Sequence, residues 1–329
     1  MSDGLLKFEP SPIVHGRGLY LHLPLAERLR AARGVPQAVV KVMKKFPHGA
    51  KGVSACMDYI SREGELPLET ESGEVILGRP DRKALVKNWA VDFDQRKDSR
   101  DAAHIVFSMP AGSPVEALKA AVRTVGHKVF AGHEWVFAVH TDKKHRHAHM
   151  VLKMRGRESN KKIDFKKADL HRLREQFAEA AREQGVELAA SSRAARGVGR
   201  KGVSQAVFQL RQKGIRPDVD KDAHQEAYRD LIDNNWNPKP WEAAMAQRNK
   251  REREANLQEA AELRKAAALK TQQEREQLLR DARLLEQFAQ RMPQAKSWRQ
   301  EVMEKAFAKV LEERKIKFRH HGREEDMER

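Results

Sequence analysis

The sequence predicts an α+β fold, a central antiparallel sheet covered by helices, followed by an all-helical C-terminal region. Three observations predict it. Between residues 37 and 185, short apolar runs of strand length alternate with amphipathic stretches of helical period. After the basic, glycine-punctuated stretch Ser191–Gly202 the pattern turns to charge-dense helix, with neither Gly nor Pro between Pro240 and Pro293. At 329 residues the chain can hold one good-sized core and a second unit. The expected division is an N-terminal arm over 1–36, without clear periodicity and partly disordered, a mixed domain over 37–205 and a charged helical region over 206–329.

The elements follow in order. A first strand is expected at Gln37–Phe46, where Val40 and Val42 alternate with Lys41. A helix runs from about Gly52 to Glu63, with Val53, Cys56 and Ile60 on one face and Gly64 as its stop. Glu65–Gly78 reads as a hairpin turning at Ser72-Gly73. The next helix, Asp81–Phe93, buries Leu85, Trp89 and Phe93. Ala102–Met109 is a short apolar strand. Ser113-Pro114-Val115-Glu116 reads as a capping box opening a helix to Phe130. Strands at Glu134–His140 and Arg146–Met154 are joined by a polar loop. A helix at Ala168–Gln184, with Leu170, Leu173 and Phe177 inward, closes the domain before Gly185. The mixture suggests helices on one face of the sheet. Beyond it come a long helix or helical pair and an amphipathic helix carrying Trp298, Val302, Ala306 and Val310. A charged, disordered tail ends the chain.

Composition narrows the chemistry. Lys and Arg number 64 against 47 Asp and Glu, a formal charge of +17. A surplus of that size points to a polyanionic partner, because neutralised phosphates release condensed counterions. The single cysteine, Cys56, excludes a disulfide framework and a Cys-based zinc site. No apolar run has the length of a membrane span and nothing resembles a signal peptide, which fits a reducing cytoplasm. No GxxxxGK[ST] motif is present, which argues against an ATPase or helicase.

Four of the fourteen histidines fall between His140 and His149. His147 and His149 are two apart on an expected strand, so both leave one face of the sheet while Ala148, Met150 and Leu152 point into the core. His140 ends the preceding strand. Three imidazoles converging from adjacent strands make a site with open coordination positions, the arrangement of a catalytic metal centre rather than a closed structural one. Asp142 has two readings, the partner that orients a ligand ring or the turn residue that starts the loop.

Tyr59 is one of three tyrosines and lies off the packed face of its helix. A phenolic oxygen can attack phosphorus and hold a covalent intermediate. Arg62, next along, is placed to contact a phosphate.

Together and in this order, YISREGEL (Tyr59–Leu66), HIVFSMPAG (His104–Gly112), HTDKKHRHAH (His140–His149) and SSRAARG (Ser191–Gly197) resemble conjugative and mobilisation DNA relaxases of the MOBP class, T-DNA border endonuclease-like members of the HUH endonuclease superfamily. The resemblance spans roughly residues 37–205 and implies the superfamily's sheet-and-helix fold. It implies Tyr59 as nucleophile and His140, His147 and His149 as ligands of a divalent ion, Mg2+ or Mn2+. His145 stands where the family often has histidine and is an alternative to His140. Ala148 is smaller than the usual middle residue of the motif. The implied reaction is a site- and strand-specific nick at a plasmid origin of transfer, leaving a 5′-phosphotyrosyl link. Single-stranded DNA would be tracked by Lys41, Lys44, Lys45, Arg155, Arg157, Arg193 and Arg196. Relaxosome accessory proteins and a type IV coupling protein are the implied partners. The implied location is the bacterial cytoplasm, with transfer alongside the DNA strand. Two other classes remain, a water-using metal nuclease and a non-enzymatic DNA-binding relaxosome component.

Overall fold

The computed structural model describes residues 23–312 apart from 97–98, 143–144, 159–161, 199–201, 236 and 310–311. The chain divides into two compact units that meet between Ser191 and Ser192, so the boundary expected near 205 falls inside the second.

In the first unit a helix, α1 (Leu25–Ala32), occupies part of the expected arm; most of that arm, residues 1–22, lies outside the described residues. The Glu27 carboxylate accepts from the Ala190 amide at 2.6 Å, tying α1 to the end of the domain. Then follow β1 (Val39–Val42), α2 (Gly49–Ile60), β2 (Leu68–Thr70), β3 (Val75–Ile76), α3 (Gly78–Ala90), β4 (Ala102–Ser108), α4 (Val115–Val129), β5 (Trp135–His140), β6 (His147–Lys153) and α5 (Lys167–Glu183). The six strands form one sheet in the order β1-β4-β6-β5-β2-β3, and every neighbouring pair is antiparallel.

Helices cover both faces, not one. On the first, Leu118, Val122 and Val125 of α4 and Leu173 and Phe177 of α5 pack on Ile105, Phe107, Met150 and Leu152. On the second, Val53, Met57 and Ile60 of α2 and Val86 and Trp89 of α3 pack on Ala102, Val136, Ala138 and Val151. The reason is legible in the strands themselves. Trp135–Val139 and Ala148–Leu152 contain apolar residues at consecutive positions, and a strand apolar on both sides needs cover on both. The helix after Ser113 begins one residue later than the capping box requires. Pro114 is the N-cap, with ψ of 140°, and no side chain caps it.

The second unit is helical: α6 (Gln205–Gln212), α7 (Asp218–Ile232), α8 (Pro240–Ala267), α9 (Gln272–Arg291) and a helix over 298–309. The periodicity left α6 and α7 unassigned because their faces are almost wholly exposed or polar. The long helical region is a pair. Ala260, Leu263 and Ala267 of α8, and Ala282, Leu285 and Ala289 of α9, supply its buried stripe. Glu274 accepts from the Thr271 amide and starts α9 without help from Gly or Pro. Val310 and the C-terminal tail lie outside the described residues. No helix among the described residues is long and apolar enough to cross a membrane.

Candidate active site

His140 and His147 are direct cross-strand partners on β5 and β6, and Ala138 pairs with His149 one step along the same face. One ring nitrogen from each of His140, His147 and His149 can be chosen so that all three lie within 4.8 Å of one another. Each ring commits its other nitrogen to a hydrogen bond. His140 Nε2 donates to the Ile60 carbonyl at 2.7 Å, and His147 Nδ1 donates to the His145 carbonyl at 3.1 Å. His149 Nδ1 lies 2.8 Å from Nε2 of His104. Turned away from these bonds are Nδ1 of His140 and Nε2 of His147 and of His149, three ring-nitrogen donors. That donor set fits a divalent cation with open positions. His145 therefore serves through its carbonyl, and the converging set contains His140.

Electrostatics favours the neutral ring at His104 and His140. Burial, with a smaller contribution from charge on His140, pushes His104 down to about 4. Burial also lowers His140, and charge on His147 and Arg62 adds to that. A neutral imidazole is the form that coordinates a metal.

Tyr59 projects over this cluster from the last turn of α2. Its ring meets those of His104 and His149 edge-on, with centroids 6.0 and 5.8 Å apart, and the residue is 62% exposed. An exposed phenol beside a candidate metal centre is available to an incoming substrate. Cys56, also on α2, is no competing nucleophile, because burial pushes its thiol up to about 12.

Two devices aim α2. At its start the buried Asp101 carboxylate accepts from the Gly49 amide at 2.9 Å and contacts His48 Nδ1 at 3.0 Å. Burial alone would raise that carboxyl, but donors from Gly49, Ser99, Lys162 and Asp94 outweigh it and hold it below the usual carboxylate range. At its end Arg62, Glu63 and Gly64 carry φ of 50°, 58° and 106°, a left-handed turn that reverses the chain. The turn brings Arg62 onto Asp142 at 2.6 Å. Its guanidinium lowers the Asp142 carboxyl. The Ile60 carbonyl, not Asp142, receives the His140 ring N–H.

Within the first unit the expected DNA-contact residues do not gather in one place. Lys41 pairs with Val106 and Val106 with His149, so exposed Lys41 stands in the same row and on the same face as the cluster. Lys44 and Lys45 follow, also exposed. Arg155 and Arg157 come after the other end of β6, roughly 20 Å along the strand from His147. Arg157 there forms an ion pair with Glu71. Arg193 and Arg196 belong to the second unit.

In the motif HIVFSMPAG the sequence alone assigns no task to the first residue, His104. A signal existed, a polar residue inside a buried apolar strand. What was missing was the register of β4 on β6, which brings His104 diagonally beside His149.

Residues 69–186 match the family model described as relaxase, MobA/VirD2-like, nuclease domain. The match contains His104 and the three clustered histidines and begins ten residues after Tyr59. Curated relatives include T-DNA border endonucleases VirD2. That of Rhizobium rhizogenes is 27% identical over 49% of this chain and 41% of its own length. That of Rhizobium radiobacter is 29% identical over 46% of this chain and 40% of its own length. That of Agrobacterium fabrum is 26% identical over 46% and 38%. The chain thus spans about two fifths of the length of these relatives.

Proposed function

We propose that this chain, whose residues 69–186 match a MobA/VirD2-like relaxase nuclease domain, nicks one strand of DNA at a specific site and stays joined to it through Tyr59. The observation that carries the reading is the exposed Tyr59 ring set 5.8 Å from the ring of His149, a member of the three-histidine cluster. In the proposed reaction Tyr59 Oη forms a bond to the scissile phosphorus and gives up its proton. The bond from phosphorus to the 3′ oxygen breaks, and that oxygen takes up a proton. The 5′-phosphotyrosyl link keeps the energy of the broken ester for resealing. When bound by His140, His147 and His149, a divalent ion such as Mg2+ or Mn2+ supplies positive charge against the non-bridging phosphate oxygens. Lys41, on the open part of the same sheet face, is placed to follow the backbone of single-stranded DNA.

The biological setting is initiation of conjugative transfer. The substrate would be an origin of transfer, cut in the bacterial cytoplasm and carried with its protein to a recipient cell. The helical second unit would serve accessory proteins of the relaxosome or a type IV coupling protein, a reading supported by its charge.

The test is a covalent-adduct assay on single-stranded oligonucleotides from the origin region of the host plasmid, with Mn2+. A denaturing gel should show a protein–DNA adduct for the parent and none for Tyr59→Phe, for His147→Ala or after chelation. Cleavage that persists in Tyr59→Phe and leaves free ends would make the chain a water-using nuclease instead.

A further inference from the structure

His149 differs from the other two clustered histidines in what its second ring nitrogen meets. His140 and His147 turn theirs to main-chain carbonyls, which only accept, so each of those rings carries its proton on the nitrogen facing the carbonyl. His149 Nδ1 faces the side chain of His104, whose Nε2 lies 2.8 Å away. An imidazole nitrogen either donates or accepts, so this contact has two polarities. If His104 Nε2 donates, His149 must carry its own proton on Nε2, and its ligand lone pair is gone. If His104 Nε2 accepts, His149 is protonated on Nδ1 and presents Nε2 beside the freed nitrogens of His140 and His147.

We propose that His104 is a positioning residue that accepts the Nδ1–H of His149, selecting the tautomer and ring angle in which His149 binds the metal. The inference rests on the metal centre of the proposed function. His104 is buried, held in the middle of the sheet by pairing of β4 with β6, and its ring lies 5.0 Å centroid to centroid from that of His149. Its Nε2 is engaged by His149, and it is not one of the three converging donors. It also flanks Tyr59, with the two ring centroids 6.0 Å apart.

The experiment measures Mn2+ binding by calorimetry, and the visible absorption of bound Co2+, on the full chain. The parent is compared with His104→Leu, His104→Asn, His104→Gln and His147→Ala, each first checked for folding by thermal melting in chelator. The Gln amide oxygen reaches about where His Nε2 stands and accepts; the shorter Asn does not reach, and Leu cannot accept. Loss of an outer partner of a metal-bound histidine weakens affinity by about 10- to 100-fold, which is the effect expected for Leu and Asn. Gln should bind within about threefold of the parent and keep the Co2+ spectrum, a rescue that a purely packing role would not give. If Leu does not fold, Asn against Gln decides. The inference is overturned if Leu and Asn bind like the parent while His147→Ala does not, or if Gln binds as poorly as Asn; the metal centre then stands without it. If the parent binds no better than His147→Ala, the metal reading of the site fails and this inference fails with it.

Discussion

His140 Nε2 donates to the carbonyl of Ile60 at 2.7 Å, and Ile60 is the residue that follows Tyr59. One hydrogen bond therefore joins a candidate metal ligand on β5 to the last turn of the helix that carries the candidate nucleophile. A helix end leaves its last carbonyls without intrahelical partners, and the His140 ring satisfies one of them. The position of Tyr59 and the orientation of His140 are thus set together, across 80 residues of sequence.

The turn after that helix gives the first prediction. Gly64 has φ of 106°, and a Cβ there would come 2.6 Å from Arg82 Nη1. Arg82 has little room to yield, because it is buried and bound to Asp58 at 2.8 Å. Gly64→Ala should cost about 1–3 kcal/mol from the strained backbone, read by urea unfolding. It should also weaken Mn2+ binding, since Ile60 and Arg62 both shift. Unchanged stability would show that the turn relaxes freely.

Gly126 of α4 tests the packing of the other face. Alanine at a helical glycine normally gains about 1 kcal/mol. Here a Cβ would lie 2.5 Å from Cζ2 of Trp135, which is 1% exposed. Overpacking of that kind costs about 1–3 kcal/mol, so the clash should outweigh the propensity. Gly126→Ala is expected to lower the midpoint of chemical denaturation; a raised midpoint would contradict the packing described.

Acidity should loosen the metal-free domain before its carboxylates titrate. His104 and His140 are both lowered from the ordinary histidine value of 6.5, His104 to about 4. Between those values the unfolded chain binds protons that the folded chain refuses. The stability His104 contributes is present above about pH 6.5 and is lost as pH falls toward about 4, and the contribution of His140 is lost in the same direction. Thermal melting in chelator between about pH 7 and pH 5 should show a falling Tm. His104→Gln, which does not titrate, should flatten part of the slope. A Tm constant over that interval would mean that neither ring resists protonation.

A fourth expectation separates binding from chemistry. Tyr59 is 62% exposed and bonds to none of the clustered rings, so Tyr59→Phe should bind Mn2+ like the parent while forming no DNA adduct. Loss of metal affinity in Tyr59→Phe would mean that the phenol helps to build the site.

What the sequence determined by itself was everything that depends on near neighbours. The two-residue spacing of His147 and His149 put both on one face, because side chains alternate along a strand. The periodicity of Val53 and Ile60 left Tyr59 off the packed side of α2, and Gly185 marked the stop just past the end of α5. Consecutive apolar residues in β5 and β6 even carried the second covered face. The tertiary structure decided what is paired across the sheet. The register of β5 on β6 sets His140 opposite His147 rather than leaving His145 to converge, and that of β4 on β6 brings His104 to His149. Only the docking of α2 on the second face carries Tyr59 to them. Such pairings join residues tens of positions apart, and their register is chosen by the burial of the whole core.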